Sequence, residues 1–106
     1  MITAEEVNDA YGNLVRSIAE YHYACEEYIK AKTILDITKK MGLADGSIVG
    51  SNPDMREADA RSKLSALYDD VEFARQRETS AKMGLDVARV MVNRAESLLR
   101  LMEIRL

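Results

Sequence analysis

The sequence predicts an all-α protein: a long antiparallel two-helix coiled-coil hairpin that pairs with a second copy into a four-helix bundle. Three observations lead there. The breakers cluster in one stretch, Gly42 to Pro53, which holds three of the five glycines and the only proline. The tracts on either side repeat their apolar residues in alternating steps of four and three. The last two dozen residues are apolar around too much of a helix for one neighbour to cover.

The first helix is expected over residues 4–41. Thr3 followed by Glu6 makes a capping box, and Ile2 and Val7 stand where a hydrophobic staple closes over it. Gly42 suits the residue just past the helix, with Lys39 and Lys40 near the negative end of the dipole. A loop is expected over 42–52. The second helix is expected over 53–105, opened by the Asn52 cap, Pro53 in the first turn, and Asp54 and Glu57 near the positive dipole end. Acid-to-base pairs four residues apart recur in both tracts: Glu26–Lys30, Asp36–Lys40, Glu57–Arg61, Asp59–Lys63, Glu78–Lys82 and Glu96–Arg100. That spacing joins neighbours on a helix and not on a strand. The whole chain, 1–106, reads as one helical-hairpin domain.

The seam of the first helix reads Val7, Tyr11, Leu14, Ile18, Tyr21, Cys25, Tyr28 and Leu35, with Lys32 as the one interruption. That of the second reads Leu64, Leu67, Val71, Ala74, Ala81, Leu85, Ala88, Val92, Ala95, Leu99 and Met102, interrupted at Glu78. A 3.5-residue period sustained this long implies a left-handed supercoil. Alanine recurs at one heptad position (60, 74, 81, 88, 95), and the larger Val7, Leu14, Tyr21, Tyr28 and Leu35 can face it. Two registers satisfy this. The preferred one sets Val7 on Ala88, Leu14 on Ala81 and Tyr21 on Ala74, and brings Gly12 level with Gly84. The other is slipped by a heptad, sets Tyr21 on Ala81 and Tyr28 on Ala74, and requires residues 53–63 to bend back as a separate short helix.

Residues 83–106 carry apolar side chains around most of their circumference, with one narrow polar stripe of Asp86, Arg89, Asn93, Glu96, Arg100 and Glu103. A helix of that kind is buried on most sides. The surplus marks a homo-oligomer interface at Val87, Met91, Leu98, Leu99, Leu101, Met102 and Ile104, with a dimer as the simplest assembly. Tyr11, Tyr21 and Tyr28 lie in the seam. Tyr23 and Tyr68 lie off it and are candidate partner contacts, as are the loop residues Ile48 and Val49. Those two either fold over the bundle end near Leu35 and Met41 or are presented outward.

Composition excludes several classes. The chain is 47% hydrophobic and 31% charged with a net charge of -3, ordinary for a folded helical domain and without the excess of cations that nucleic acid or anionic lipid attracts. No apolar run is long enough for a membrane span, and without a basic stretch followed by an apolar run after Met1 no signal peptide is expected. One cysteine makes a reducing compartment the default. A cytoplasmic protein is expected.

Catalysis is not expected. His22, Cys25 and Glu26 share a helical face but lack a fourth ligand, and Cys25 falls at a core position, where free cysteine packs as a small hydrophobe. Asp69, Asp70 and Glu72 form an acidic knot that points several ways on a helix, which suits a solvated face rather than a cation site. No phosphate-binding glycine loop follows from Gly46 and Gly50, and a single histidine supports no triad. No cofactor is expected. The second tract carries Arg56, Arg61, Lys63, Arg75, Arg77, Lys82, Arg89, Arg94, Arg100 and Arg105, matched by ten acidic residues over 53–106.

A segment Gly50-x-Asn52-x-x-x-Arg56 opens the second helix, and an Ala/Leu/Arg-rich helix ends the chain. With the two-helix layout, this resembles the small helical-hairpin proteins of bacteriophages and prophages. The resemblance implies a viral or prophage origin and an accessory role, and it transfers no functional residue. The expected function is therefore a non-enzymatic, self-associating interaction protein. Two alternatives stand beside it: a nucleic-acid-associated accessory using basic residues of the second helix, and a metal-bound bundle built from His22, Cys25 and Glu26 of two chains.

Overall fold

The structure, a computed structural model, describes residues 1–105. Leu106, within the apolar final tract, lies outside the described residues, as does the side chain of Arg105. Among the described residues all regular structure is helical: α1 Ala4–Asp45, α2 Pro53–Lys63 and α3 Ser65–Arg105.

The start of α1 is the capping box. Thr3 Oγ1 accepts from the Glu6 N–H at 3.1 Å, and Glu6 Oε2 accepts from the Thr3 N–H at 3.3 Å. The helix does not stop before Gly42 but runs on to Asp45, and Gly46 takes the left-handed turn at φ 80. Gly42 is instead a packing position: it is buried beneath Ile48, whose N–H donates to the Gly42 carbonyl at 2.9 Å. Asp45 closes the turn by accepting from the Ser47 N–H at 2.9 Å and its hydroxyl at 2.6 Å. Those two bonds hold the Asp45 carboxyl below its ordinary range, the hydroxyl contributing most.

Asn52 caps α2 as its side chain predicts, accepting from the Met55 N–H at 2.8 Å. The second tract is not one helix over 53–105. It breaks at Leu64, whose N–H donates to Ala60 at 2.7 Å and whose carbonyl accepts from Leu67 at 3.0 Å and Tyr68 at 3.1 Å. Closing α2 and opening α3 on the same residue lets the chain bend there while the Leu64 N–H and carbonyl both keep partners.

The chain divides into two compact units: Met1–Ala24 with Glu78–Leu106, and Cys25–Arg77. In the first unit, Ala10 shares a buried cluster with Val92 and Ala95, and Ile2 and Leu14 pack against it. The preferred register would have set residue 10 beside residue 85. The pairing is the one slipped by a heptad, which is also the one that needs α2 as a separate helix; Gly12 and Gly84 are therefore out of step. In the second unit, α2 folds back and buries Ala60, 1% exposed, together with Ile48 of the loop.

The α3 seam is as its heptads predict. Ala74, Leu85, Ala88, Val92 and Ala95 are buried, and Val71, Ala81, Leu99 and Met102 are half-buried. One column of the α1 seam is displaced by a residue. Val7, Leu14, Tyr21, Tyr28 and Leu35 do face inward, but the companion column is Ala10, Ser17, Ala24, Ala31 and Thr38. Tyr11 and Ile18 are exposed, and Cys25 is only half-buried. Small side chains on α1 opposite the alanines of α3 let two helices approach closely, where a tyrosine column would hold them apart. Lys32 then interrupts nothing, because it lies off the seam.

Candidate functional site

A site must be sought among exposed groups, since among the described residues no large side chain is fully buried and no buried polar side-chain atom lacks a partner. Three places merit comparison: a polar cluster in the second unit and one groove in each unit.

The polar cluster joins all three helices within the second unit. Lys39 Nζ of α1 donates to Glu57 Oε2 of α2 at 2.6 Å, and Tyr68 Oη of α3 donates to Glu57 Oε1 at 2.8 Å. Arg61 stands 3.4 Å from the same carboxylate and stacks its guanidinium over the Tyr68 ring at 4.8 Å. The Lys39 bond, then that of Tyr68, keeps the Glu57 carboxyl below its ordinary value, and Glu57 in turn raises the Lys39 ammonium. Nearby, Asp59 accepts from the Val49 N–H at 2.8 Å and pairs with Lys63 at 3.0 Å. These bonds tie the loop and α2 down. Together they form a clasp between the loop, α1, α2 and α3.

The residues singled out in the sequence fall into distinct settings. Ile48 is buried and Tyr68 sits half-buried in the clasp, so neither is presented outward; Tyr23 and Val49 are exposed. His22 and Glu26 are exposed on α1 beside half-buried Cys25. Among the described residues no group of three or more His, Cys, Asp or Glu side chains could hold a metal ion. In the acidic knot Glu72 is chelated by Arg75 through two bonds, which lowers its carboxyl, while Asp69 and Asp70 face solvent. Arg89 approaches Asp86 at 3.9 Å. No helix among the described residues is long and apolar enough to cross a membrane.

The groove of the first unit, about 480 Å³, is asymmetric. Its α1 wall carries Glu6, Asp9 and Asn13; its α3 wall carries Val87, Met91 and Leu98, with Arg94 among them. Val87 is 62% exposed and Met91 45%, and further round α3 Leu101 and Ile104 are 51% and 80% exposed. Leu99 and Met102 are half-buried and continue the α3 heptad seam. A smaller groove of about 260 Å³ in the second unit sets exposed Phe73 beside Ile34, Leu67 and Ala74.

Tyr11, Val15, Ile18 and Phe73 are exposed apolar residues, the first and third of them at positions the heptads place in the seam. A signal for the first and third existed. Choosing the small column (10, 17, 24, 31) over the large one (11, 18, 25, 32) would have released Tyr11 and Ile18 from the core and removed the Lys32 anomaly. No protein-family model, no curated protein and no solved structure matches this chain, so its relationships rest on its own residues.

Proposed function

We propose that this chain is a non-enzymatic, self-associating interaction protein whose two helical tracts form a hairpin, with two hairpins assembling into a four-helix bundle. The observation that carries this reading is the exposed apolar surface of α3 in the first unit, where Val87, Met91, Leu101 and Ile104 are each between 45% and 80% exposed. Burying one side chain of that size contributes ~1.5–3 kcal/mol. Several large apolar side chains exposed along one helix of a small chain mark an interaction surface. The thin interior of the single chain, mostly alanine, points the same way.

A cytoplasmic setting suits the single free cysteine. An accessory role of the kind phage and prophage hairpins have is part of the same proposal, supported by Gly50, Asn52 and Arg56 at the head of α2. The test is the mass in solution. Light scattering across a concentration series is expected to give twice the 11.9 kDa of the chain. A mass of one chain at every concentration overturns the proposal.

A further inference from the structure

Arg94 is the one charged residue on the α3 wall of the first-unit groove, placed between Met91 and Leu98. Among the described residues it makes no ion pair within the chain, and neither does Asp9 on the opposite wall. If the apolar wall is covered, Arg94 is covered with it, and a guanidinium taken from water needs a carboxylate. The groove supplies one at the right height. In the register that sets Ala10 by Val92, residue 94 of α3 stands level with residue 8 of α1, beside Asp9.

We infer that the occupant of this groove is a second copy of the chain, placed by a two-fold axis parallel to the helices. This rests on the self-association reading and names its surface. Such an axis keeps every residue at its own level. It lays Val87, Met91 and Leu98 of each copy into the groove of the other, and it brings each Arg94 to the partner's Asp9. The α1 wall is acidic, with Glu6 as well as Asp9, and the α3 wall has the lone cation. The acidic α1 wall of each copy thus meets the α3 cation of the other, which is the self-complementarity an isologous interface requires.

Charge reversal tests this, followed by sedimentation velocity on the whole chain with circular dichroism as the control for folding. Asp9→Arg alone and Arg94→Asp alone are each expected to stay helical and to weaken dimerisation by about tenfold or more. Mixed in equal amounts, the two variants restore a dimer, because the mixed pair has opposite charges at both contacts while each homodimer has like charges. Single variants that dimerise as the native chain does overturn the inference and leave the self-association reading standing. Weakened variants that fail to pair on mixing also overturn it. A native chain that stays monomeric overturns both.

Discussion

Tyr11 Oη donates to Glu96 Oε1 at 2.6 Å across the two helices of the first unit. Tyr11 lies just outside the seam, so its ring is exposed while its hydroxyl reaches across to α3 and marks the register. The bond, with smaller contributions from desolvation and from the Glu96 charge, raises the phenol above its ordinary 10.0. A raised pKa means the bond stabilises the fold below that value and stops doing so as pH climbs through the higher, folded one. NMR titration of the Tyr11 ring is expected to show ionisation at higher pH in the native chain than in Glu96→Ala. Equal midpoints would show that the bond is not made in solution.

The clasp has a pH window of its own. Glu57 lies below its ordinary 4.5, so its contribution is complete above that pH and is lost as pH falls through the lowered folded value. Lys39 lies above its ordinary 10.5, so its share is complete below that pH and is lost as pH rises through the raised one. Between the two the clasp is intact. Glu57→Gln should cost about 0.2–1 kcal/mol near neutral pH, as for a well-placed but solvent-accessible pair. Its Tm should also fall less steeply than that of the native chain as the solution is acidified below 4.5. Parallel acid limbs would remove Glu57 from the account.

Two loop glycines should be intolerant for different reasons. A Cβ on Gly50 would stand 2.5 Å from the backbone nitrogen of Arg56, an atom that cannot move aside cheaply. Gly46 has open space around it but a φ of 80, where an added Cβ meets its own backbone. Gly46→Ala should cost about 1–2 kcal/mol, and Gly50→Ala more. Denaturant unfolding gives both numbers, and a reversed order would contradict the loop geometry.

Core variants should separate cavity from crowding. Leu85 is 4% exposed, so Leu85→Ala should cost about 2–5 kcal/mol. Ala95 lies in the buried cluster with Ala10, and Ala95→Leu should cost about 1–3 kcal/mol by forcing the helices apart. Both follow from chemical denaturation. A stabilised Ala95→Leu would mean the alanine column is not closely packed.

Leu99 and Val87 should answer differently to the same insult. Leu99 continues the chain's own seam, whereas Val87 lies on the exposed groove wall. Leu99→Glu should therefore lower helicity and thermal stability as well as association. Val87→Glu should leave the far-ultraviolet spectrum unchanged and reduce only the mass seen by light scattering. Matching losses of helicity in both would place Val87 inside the fold.

Much of the helical layout was legible from local rules. Thr3 and Glu6, and Asn52 with Met55, cap where their side chains must, because a cap is settled by atoms three residues apart. Of the acid–base pairs, Asp36–Lys40, Glu57–Arg61 and Asp59–Lys63 form. Glu96 is taken by Tyr11, a partner 85 positions away that no local spacing reveals.

Heptad spacing alone was enough to specify all of the α3 seam and one column of the α1 seam, because a period in the sequence is a direction on a helix. Tertiary packing decided the rest. Tyr11 or Ala10, Ile18 or Ser17 satisfy the period equally well, and the choice falls to the small residue because the facing α3 column is alanine and close approach excludes a ring. The one-heptad slip is of the same kind. Two registers match large to small along the helices, and the contact of Ala10 with Val92 and Ala95 in the first unit separates them. Periodicity is blind to a shift by a whole period, so that choice belongs to contacts between residues far apart in the chain.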